Sequence, residues 1–292
     1  MIIWLKEIRA NFLVLAVVLV MIGGAAAWRD GSFNTLYFVA TVIGIVFAHI
    51  SVNLFNEYSD WKTGIDAKTE RTPFSGGSGN LQQDLLRPTQ VRLASWLTLS
   101  VSFCIGLWLA SVSGWQVLVL MGIGGITTVF YTDYMAKWMI GEVASGITLG
   151  SFVVIGAYFV QTGEINSGII WASLSPGILT MLLLLLNEFP DVEADRAGGR
   201  KHLVIVFGKR ISGIIYSILL LSVYLIFVVG VIKSEMPATI LIGLFTLPMA
   251  VVTIVKVIRY GNEMPKLLPA LGMNVVIVLA TDFLLTIGYL IG

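Results

Sequence analysis

Nine apolar runs, each near the length a helix needs to cross a hydrocarbon layer, constrain this chain more than any other feature. A crossing takes about 20 residues, and the runs lie at roughly 10–28, 34–56, 93–112, 115–132, 141–160, 168–187, 211–232, 237–255 and 267–290. Lipid offers the backbone no hydrogen bonds, so each run is expected as a helix. The expected fold class is all-α, a polytopic membrane bundle of nine transmembrane helices making one domain over residues 1–292. Only 12% of residues are charged, where a soluble domain carries about 25%. The first run follows Lys6 and Arg9 and contains Ala25-Ala26-Ala27, in the manner of a cleavable leader. With eight more spans behind it, it is read as a retained helix.

Nine spans divide the loops into two sets, and one set holds sixteen of the 18 basic residues, leaving only Arg29 and Lys233 in the other. Basic residues crowd cytoplasmic loops, so the N-terminus is expected on the cytoplasmic side and the C-terminus outside. The basic set includes two long loops, about 58–92 and about 190–210, expected to cap the bundle. With 18 basic against 17 acidic residues, the overall charge exerts no pull toward nucleic acid. Cys104 is the only cysteine, which excludes intrachain disulfides and cysteine-ligated clusters.

Two of the runs end in the same pattern. Asn56-Glu57-Tyr58-Ser59-Asp60 closes the second and Asn187-Glu188-Phe189-Pro190-Asp191 the sixth, each reading N-E-[aromatic]-x-D on the cytoplasmic side. The four-helix offset suggests two four-helix pseudo-repeats followed by a ninth helix. Asn187, Asp191 and Asp195 are spaced i, i+4, i+8 and share one helix face, as Asn56 and Asp60 do one turn apart. Asp66 follows a few residues beyond. Carboxylates and amide oxygens without a histidine cluster suit a hard cation, and Mg²⁺ in particular binds through a few carboxylates together with substrate phosphates. Arg71, Arg200 and Lys201 lie close in sequence to hold remaining phosphate oxygens. Ser75 to Gly79 is either a phosphate-cradling turn or a hinge. Two such sites facing each other would clamp a diphosphate, whereas acids that merely solvate a membrane boundary have no need to match.

These residues resemble the UbiA superfamily of intramembrane aromatic prenyltransferases, which carries two aspartate-rich motifs at the cytoplasmic ends of the second and sixth of nine helices. The resemblance implies that Asn56, Asp60 and Asp66, with Asn187, Asp191 and Asp195, hold Mg²⁺ and the diphosphate of a polyprenyl donor. The stretch Asp195-Arg196-Ala197-Gly198-Gly199-Arg200-Lys201-His202-Leu203 is similar to the family's D-R-x-x-G-[KR]-[KR]-T-L, with His202 for the usual threonine. It implies diphosphate contacts from Arg200 or Lys201. Tyr131-Thr132 and Lys137-x-x-x-Gly141-Glu142 look like the fourth-to-fifth loop signature, which makes Lys137 a diphosphate ligand. Asp60, Asp191, Asp195 and Lys137 are thus the expected catalytic residues. In the first motif Gly64 stands where the commoner form has a carboxylate and Asp66 comes two later. That form is similar to the dihydroxynaphthoate branch, which makes menaquinone precursors.

The implied reaction is Mg²⁺-assisted departure of diphosphate, leaving an allylic cation that an electron-rich ring carbon attacks. Other acceptors remain open: 4-hydroxybenzoate, a chlorophyllide, haem or a glycerol-phosphate lipid. A secondary transporter is the alternative of another class, since internal repeats in many-helix bundles also build transporters. Nearly all acids lie at one face rather than at mid-membrane, which favours the enzyme. Deep in the ninth run, Asp282 with Asn274 is either a packing lock or a pocket group. His49 and Glu142 are either core and helix-start residues or neighbours of the acceptor. Gly122, Gly124, Gly125, Gly146 and Gly150 are expected to allow close helix packing.

Overall fold

The computed structural model describes residues 1–66, 69, 71–72, 74–131 and 134–292; Thr132, named above, lies outside them, as do parts of the expected loop 58–92. Among the described residues the chain is helical without strands: α1 (Ile2–Glu7), α2 (Leu13–Arg29), α3 (Thr35–Thr63), α4 (Pro88–Ser113), α5 (Gln116–Phe130), α6 (Gly141–Ser145), α7 (Phe152–Thr162), α8 (Ser167–Ala197), α9 (Leu203–Ile232), α10 (Leu247–Tyr260) and α11 (Met264–Ile291). A π-helical stretch, Gly146–Ser151, joins α6 to α7, and a 3₁₀ stretch, Ala238–Thr246, leads into α10.

Eight helical segments among the described residues are long and apolar enough to cross a membrane. The expected ninth, at 115–132, is the 15-residue α5, apolar but shorter than a full crossing. The loop bounds also differ from the expectation. Helix α3 runs on to Thr63 and α8 to Ala197, so the caps shrink to 64–87 and 198–202. The physical reason is that hydropathy marks where lipid stops, whereas a helix continues until a backbone signal ends it. For α3 that signal is Gly64, in the left-handed conformation (φ 74°), whose N–H is bonded to the Trp61 carbonyl while the Ile65 N–H returns to that of Asp60.

Gly64 explains the missing carboxylate of the first motif, because only glycine adopts this cap without strain. A Cβ there would meet nothing within 4 Å. Gly64→Ala is therefore expected to cost about 1–2 kcal/mol from backbone strain alone, read as a fall in thermal stability, and to weaken any cation affinity that depends on Asp66. An unchanged melting temperature would contradict this account of the turn.

Helix starts are capped by side chains: Asn34 accepts from the Tyr37 N–H at 3.1 Å, Asn166 from Ile169 at 2.9 Å, and His202 from Ile205 at 3.4 Å. Helix α9 breaks at Gly208 (φ 77°, ψ 161°). The main core joins α2 and α7 to α11, with Leu19, Val154, Leu182, Tyr216, Leu271 and Ile277 buried in it. Pairs α3–α4 and α8–α9 each pack together. By contrast α4 and α5 bury few side chains and turn residues such as Leu93, Leu97, Leu107 and Val119 outward, as lipid-facing helices do. Helix α8 approaches the π-helical stretch almost backbone to backbone, since a Cβ on Gly150 would lie 2.6 Å from the Gly177 Cα.

Candidate active site

The ends of α3 and α8 open on one cavity of about 1020 Å³. Asn56 and Asp60 line it from α3, and Asn187, Asp191 and Asp195 from α8. Pro190 sits inside α8 and cannot donate to the preceding turn. Past Gly64 the chain folds back so that Asp66 also reaches the cavity, where it accepts from Gln82 Nε2 at 3.2 Å. The glycine-rich stretch packs on this carboxylate: Gly77 (φ 68°) lies so near that a Cβ would come within 2.4 Å of Asp66 Oδ2. Phe74, Ser75, Gly76 and Gly77 thus form wall. Burial, then the Glu57 charge, pushes the Asp66 carboxyl above its ordinary value, opposed by Arg9 and Arg200.

Arg200 ties the two motifs together. Its Nη2 pairs with Asp60 and donates to Asn56 Oδ1 at 3.2 Å, while Nη1 donates to Asp195 Oδ1 at 2.8 Å. All three partners belong to the predicted set. Burial works to lower the guanidinium, but Asp60 and Asp195 outweigh it and hold it above its ordinary value. The pattern left Arg200 and Lys201 as equal candidates; Arg200 lines the cavity, whereas Lys201 is exposed, its backbone N–H bonded to the Ala136 carbonyl at 2.8 Å. Arg71 and Lys137 also lie off the lining. Arg71 donates instead to the Gly76 carbonyl and to Gln82 Oε1, both at 3.3 Å, and so buttresses Asp66 through Gln82.

Two groups lie outside the predicted set. Glu57, the second residue of the first motif, is bonded by Arg9 Nε at 2.8 Å and by the Ser78 N–H at 2.9 Å, fastening the N-terminal segment and the glycine-rich loop to α3. Glu7 accepts from Ser78 Oγ at 2.6 Å and Asn80 Nδ2 at 2.9 Å; its carboxyl is pushed up, first by burial. The second group is Glu188, the equivalent residue of the other motif, with Glu142 and His202, all three on the cavity wall. The signal was present in the sequence, since Glu57 and Glu188 recur in both motifs.

The remaining lining comes from mid-helix residues such as Ile105, Leu120, Met121, Phe152 and Leu183. Gly122, Gly124 and Gly125 line it too, and a Cβ at any of them would meet nothing within 4 Å, so they leave space rather than bring helices together. Gly146 and Gly150 do serve close packing, against Gly177. His49 is buried on the lining. Asp282 is fully buried away from the lining, and neighbouring Asn274 bonds Tyr216 Oη at 2.8 Å and the Leu182 carbonyl at 3.2 Å.

The donor set fits a hard cation. Six oxygen-bearing side chains converge, and Asn187 Oδ1 and Asp191 Oδ1 are buried with no hydrogen-bond partner among the described residues, a state that costs free energy unless something else satisfies them. Below this polar cluster lies apolar space.

The sequence model of the UbiA prenyltransferase family matches residues 16–270. A 1,4-dihydroxy-2-naphthoate octaprenyltransferase of Bacillus subtilis is 28% identical, with 97% of this chain and 90% of that protein covered. A 2-carboxy-1,4-naphthoquinone phytyltransferase of Synechocystis is also 28% identical, covering 89% and 84%. Among solved structures, a UbiA homolog from Archaeoglobus fulgidus bound to DMAPP and Mg²⁺ shares the fold with a TM-score of 0.61 at 13% identity, over 97% of this chain and 98% of that one.

Proposed function

The chain belongs to the UbiA prenyltransferase family, and from that premise we propose that it moves a polyprenyl group from polyprenyl diphosphate to 1,4-dihydroxy-2-naphthoate with the help of Mg²⁺. It is an integral membrane prenyltransferase; the acceptor, the metal and the roles of individual residues are the proposal. The observation that carries it is the convergence of both oxygen-rich helix ends on one cavity, joined by Arg200, with apolar space beneath for a prenyl chain. The naphthoate acceptor rests on the curated relatives.

Asn56, Asp60 and Asp66 on one side, and Asn187, Asp191 and Asp195 on the other, would hold Mg²⁺. When bound, the metal supplies charge neutralisation for the departing diphosphate. Arg200 is already placed between the motifs and supplies a fixed positive charge where negative charge develops. As the allylic C–O bond breaks, its electron pair leaves with diphosphate; the ring carbon bonds to the allylic carbon and the ring regains aromaticity by losing the group that carbon carried, as a proton or, from a carboxylated carbon, as CO2. The mid-helix lining keeps water from the cation. Lys137, Lys201 and Arg71 lie outside the lining and are assigned to the approach and support of the diphosphate.

We place α5 as a ninth crossing, the N-terminus and active site on the cytoplasmic side, and residues 1–292 in one domain of two pseudo-repeats plus α11. The test uses purified protein, polyprenyl diphosphates, Mg²⁺ and a panel of acceptors. A covalent prenylated product with release of diphosphate, lost on chelation and regained with Mg²⁺, is expected. Absence of product with every acceptor, or vectorial uptake without chemistry, would overturn the assignment.

A further inference from the structure

Glu188 follows Asn187 directly, about 100° on round the helix, and so lies three and seven residues before Asp191 and Asp195 on the flank of their stripe. There it meets Glu142 and His202, with one ligating atom from each within 4.8 Å of the others. Glu142 is 1% exposed and held in place by the Leu203 N–H, which donates to its Oε1 at 2.6 Å. His202 is 3% exposed; its Nδ1 caps α9 and stands 3.4 Å from Glu188 Oε2. Glu188 Oε2 is nonetheless buried without a hydrogen-bond partner among the described residues, while His202 Nε2 stands 3.3 Å from Asp195 Oδ2, so the cluster adjoins the second motif. The counterpart of Glu188 in the first motif, Glu57, is saturated by Arg9 and Ser78. The two glutamates therefore do different work, and only Glu188 has acceptor capacity facing the cavity.

What could satisfy this wall follows from its chemistry. Paired carboxylates repel a phosphate or a carboxylate and accept hydrogen bonds from O–H donors, which are strong when the acceptor is charged. Aromatic and aliphatic side chains, Tyr131 and Phe152 among them, line the same cavity. We propose that Glu142, Glu188 and His202 form the hydroxyl-recognition site for the acceptor, a planar dihydroxylated aromatic of the hydroquinone class. Its hydroxyls face the glutamates, and any carboxylate it carries points away. This rests on the reading that the chain prenylates an aromatic acceptor.

The experiment compares wild type, Glu188→Gln and Glu142→Gln as full-length purified protein. With 1,4-dihydroxy-2-naphthoate the KM is expected to rise roughly ten- to a hundredfold in each variant, while the KM for polyprenyl diphosphate moves less than about twofold. Equilibrium binding without prenyl donor provides a separate arm: wild type is expected to bind 1,4-dihydroxynaphthalene more tightly than its dimethyl ether, and Glu188→Gln to lose most of that preference. Equal binding of the two compounds by wild type overturns the site, and needs no variant to fold. So does a matching rise in both KM values, which would assign the cluster to the diphosphate clamp, or loss of stoichiometric Mn²⁺ or Zn²⁺ from the variants with acceptor binding unchanged. If wild type binds selectively but forms no prenylated product, the site stands and the assigned reaction fails.

Discussion

Asp191→Asn is expected to slow prenyl transfer by on the order of a thousandfold, with little change in fold. Asp191 Oδ1 is buried on the cavity without a hydrogen-bond partner among the described residues, and the carboxylate's hydrogen bond with Ser75 needs an oxygen acceptor rather than a charge. Asparagine keeps the shape and removes the charge that a cation would bind. At 1.36 kcal/mol per tenfold, the loss corresponds to about 4 kcal/mol of transition-state stabilisation. Glu193→Gln, two residues on, is the control, because that side chain is exposed and stands 3.8 Å from Arg196; an exposed pair of this kind contributes about 0–1 kcal/mol. The comparison is made on initial rates at saturating Mg²⁺. Equal rates for Asp191→Asn and wild type would remove Asp191 from the site and with it half of the clamp.

Arg200→Gln is expected to fail differently, through stability first. The guanidinium neutralises Asp60 and Asp195, whose side chains are only 5% and 3% exposed. Removing it leaves two carboxylates buried side by side, and breaking a buried pair costs about 3–5 kcal/mol. A divalent cation lodged among these acids would restore part of the lost neutralisation. Added Mg²⁺ should therefore raise the melting temperature of the variant more than that of wild type. A variant as stable as wild type, or one indifferent to Mg²⁺, would show that Arg200 does not bridge the motifs.

The site was legible where residue type and helical spacing coincide. Asn187, Asp191 and Asp195 could be placed on one face because the period of a helix is fixed, and their match to Asn56 and Asp60 pointed to a shared cavity. Direction between adjacent residues was not legible: Arg200 and Lys201 are equivalent as letters, and only the turn through Gly198 and Gly199 sends one inward and the other to solvent. Glu188 escaped because the spacing argument counted only in steps of four from Asn187, although Glu188 lies three and seven residues before Asp191 and Asp195. Its partners Glu142 and His202 each stood in a local motif, and Glu142 was weighed as a neighbour of the acceptor, but they come from distant segments and no spacing could bring them together with Glu188. For the fold, apolar runs located the helices but not their ends, because α3 and α8 outlast their lipid-facing portions by several polar residues. Hydropathy likewise could not tell that α5 stops at Phe130.

That early stop has a consequence for the surrounding bilayer. Fifteen residues make a rod of about 22 Å, against a hydrocarbon layer of about 30 Å. On the proposal that α5 is a crossing, the mismatch would be absorbed by local thinning of the leaflets or by side chains at both ends reaching outward. Because Gly122, Gly124 and Gly125 give this helix an unfilled face toward the cavity, such a thinned patch would adjoin that face. Acyl tails would there help to complete the enclosure, and a long isoprenoid could remain partly dissolved in them while its head is held.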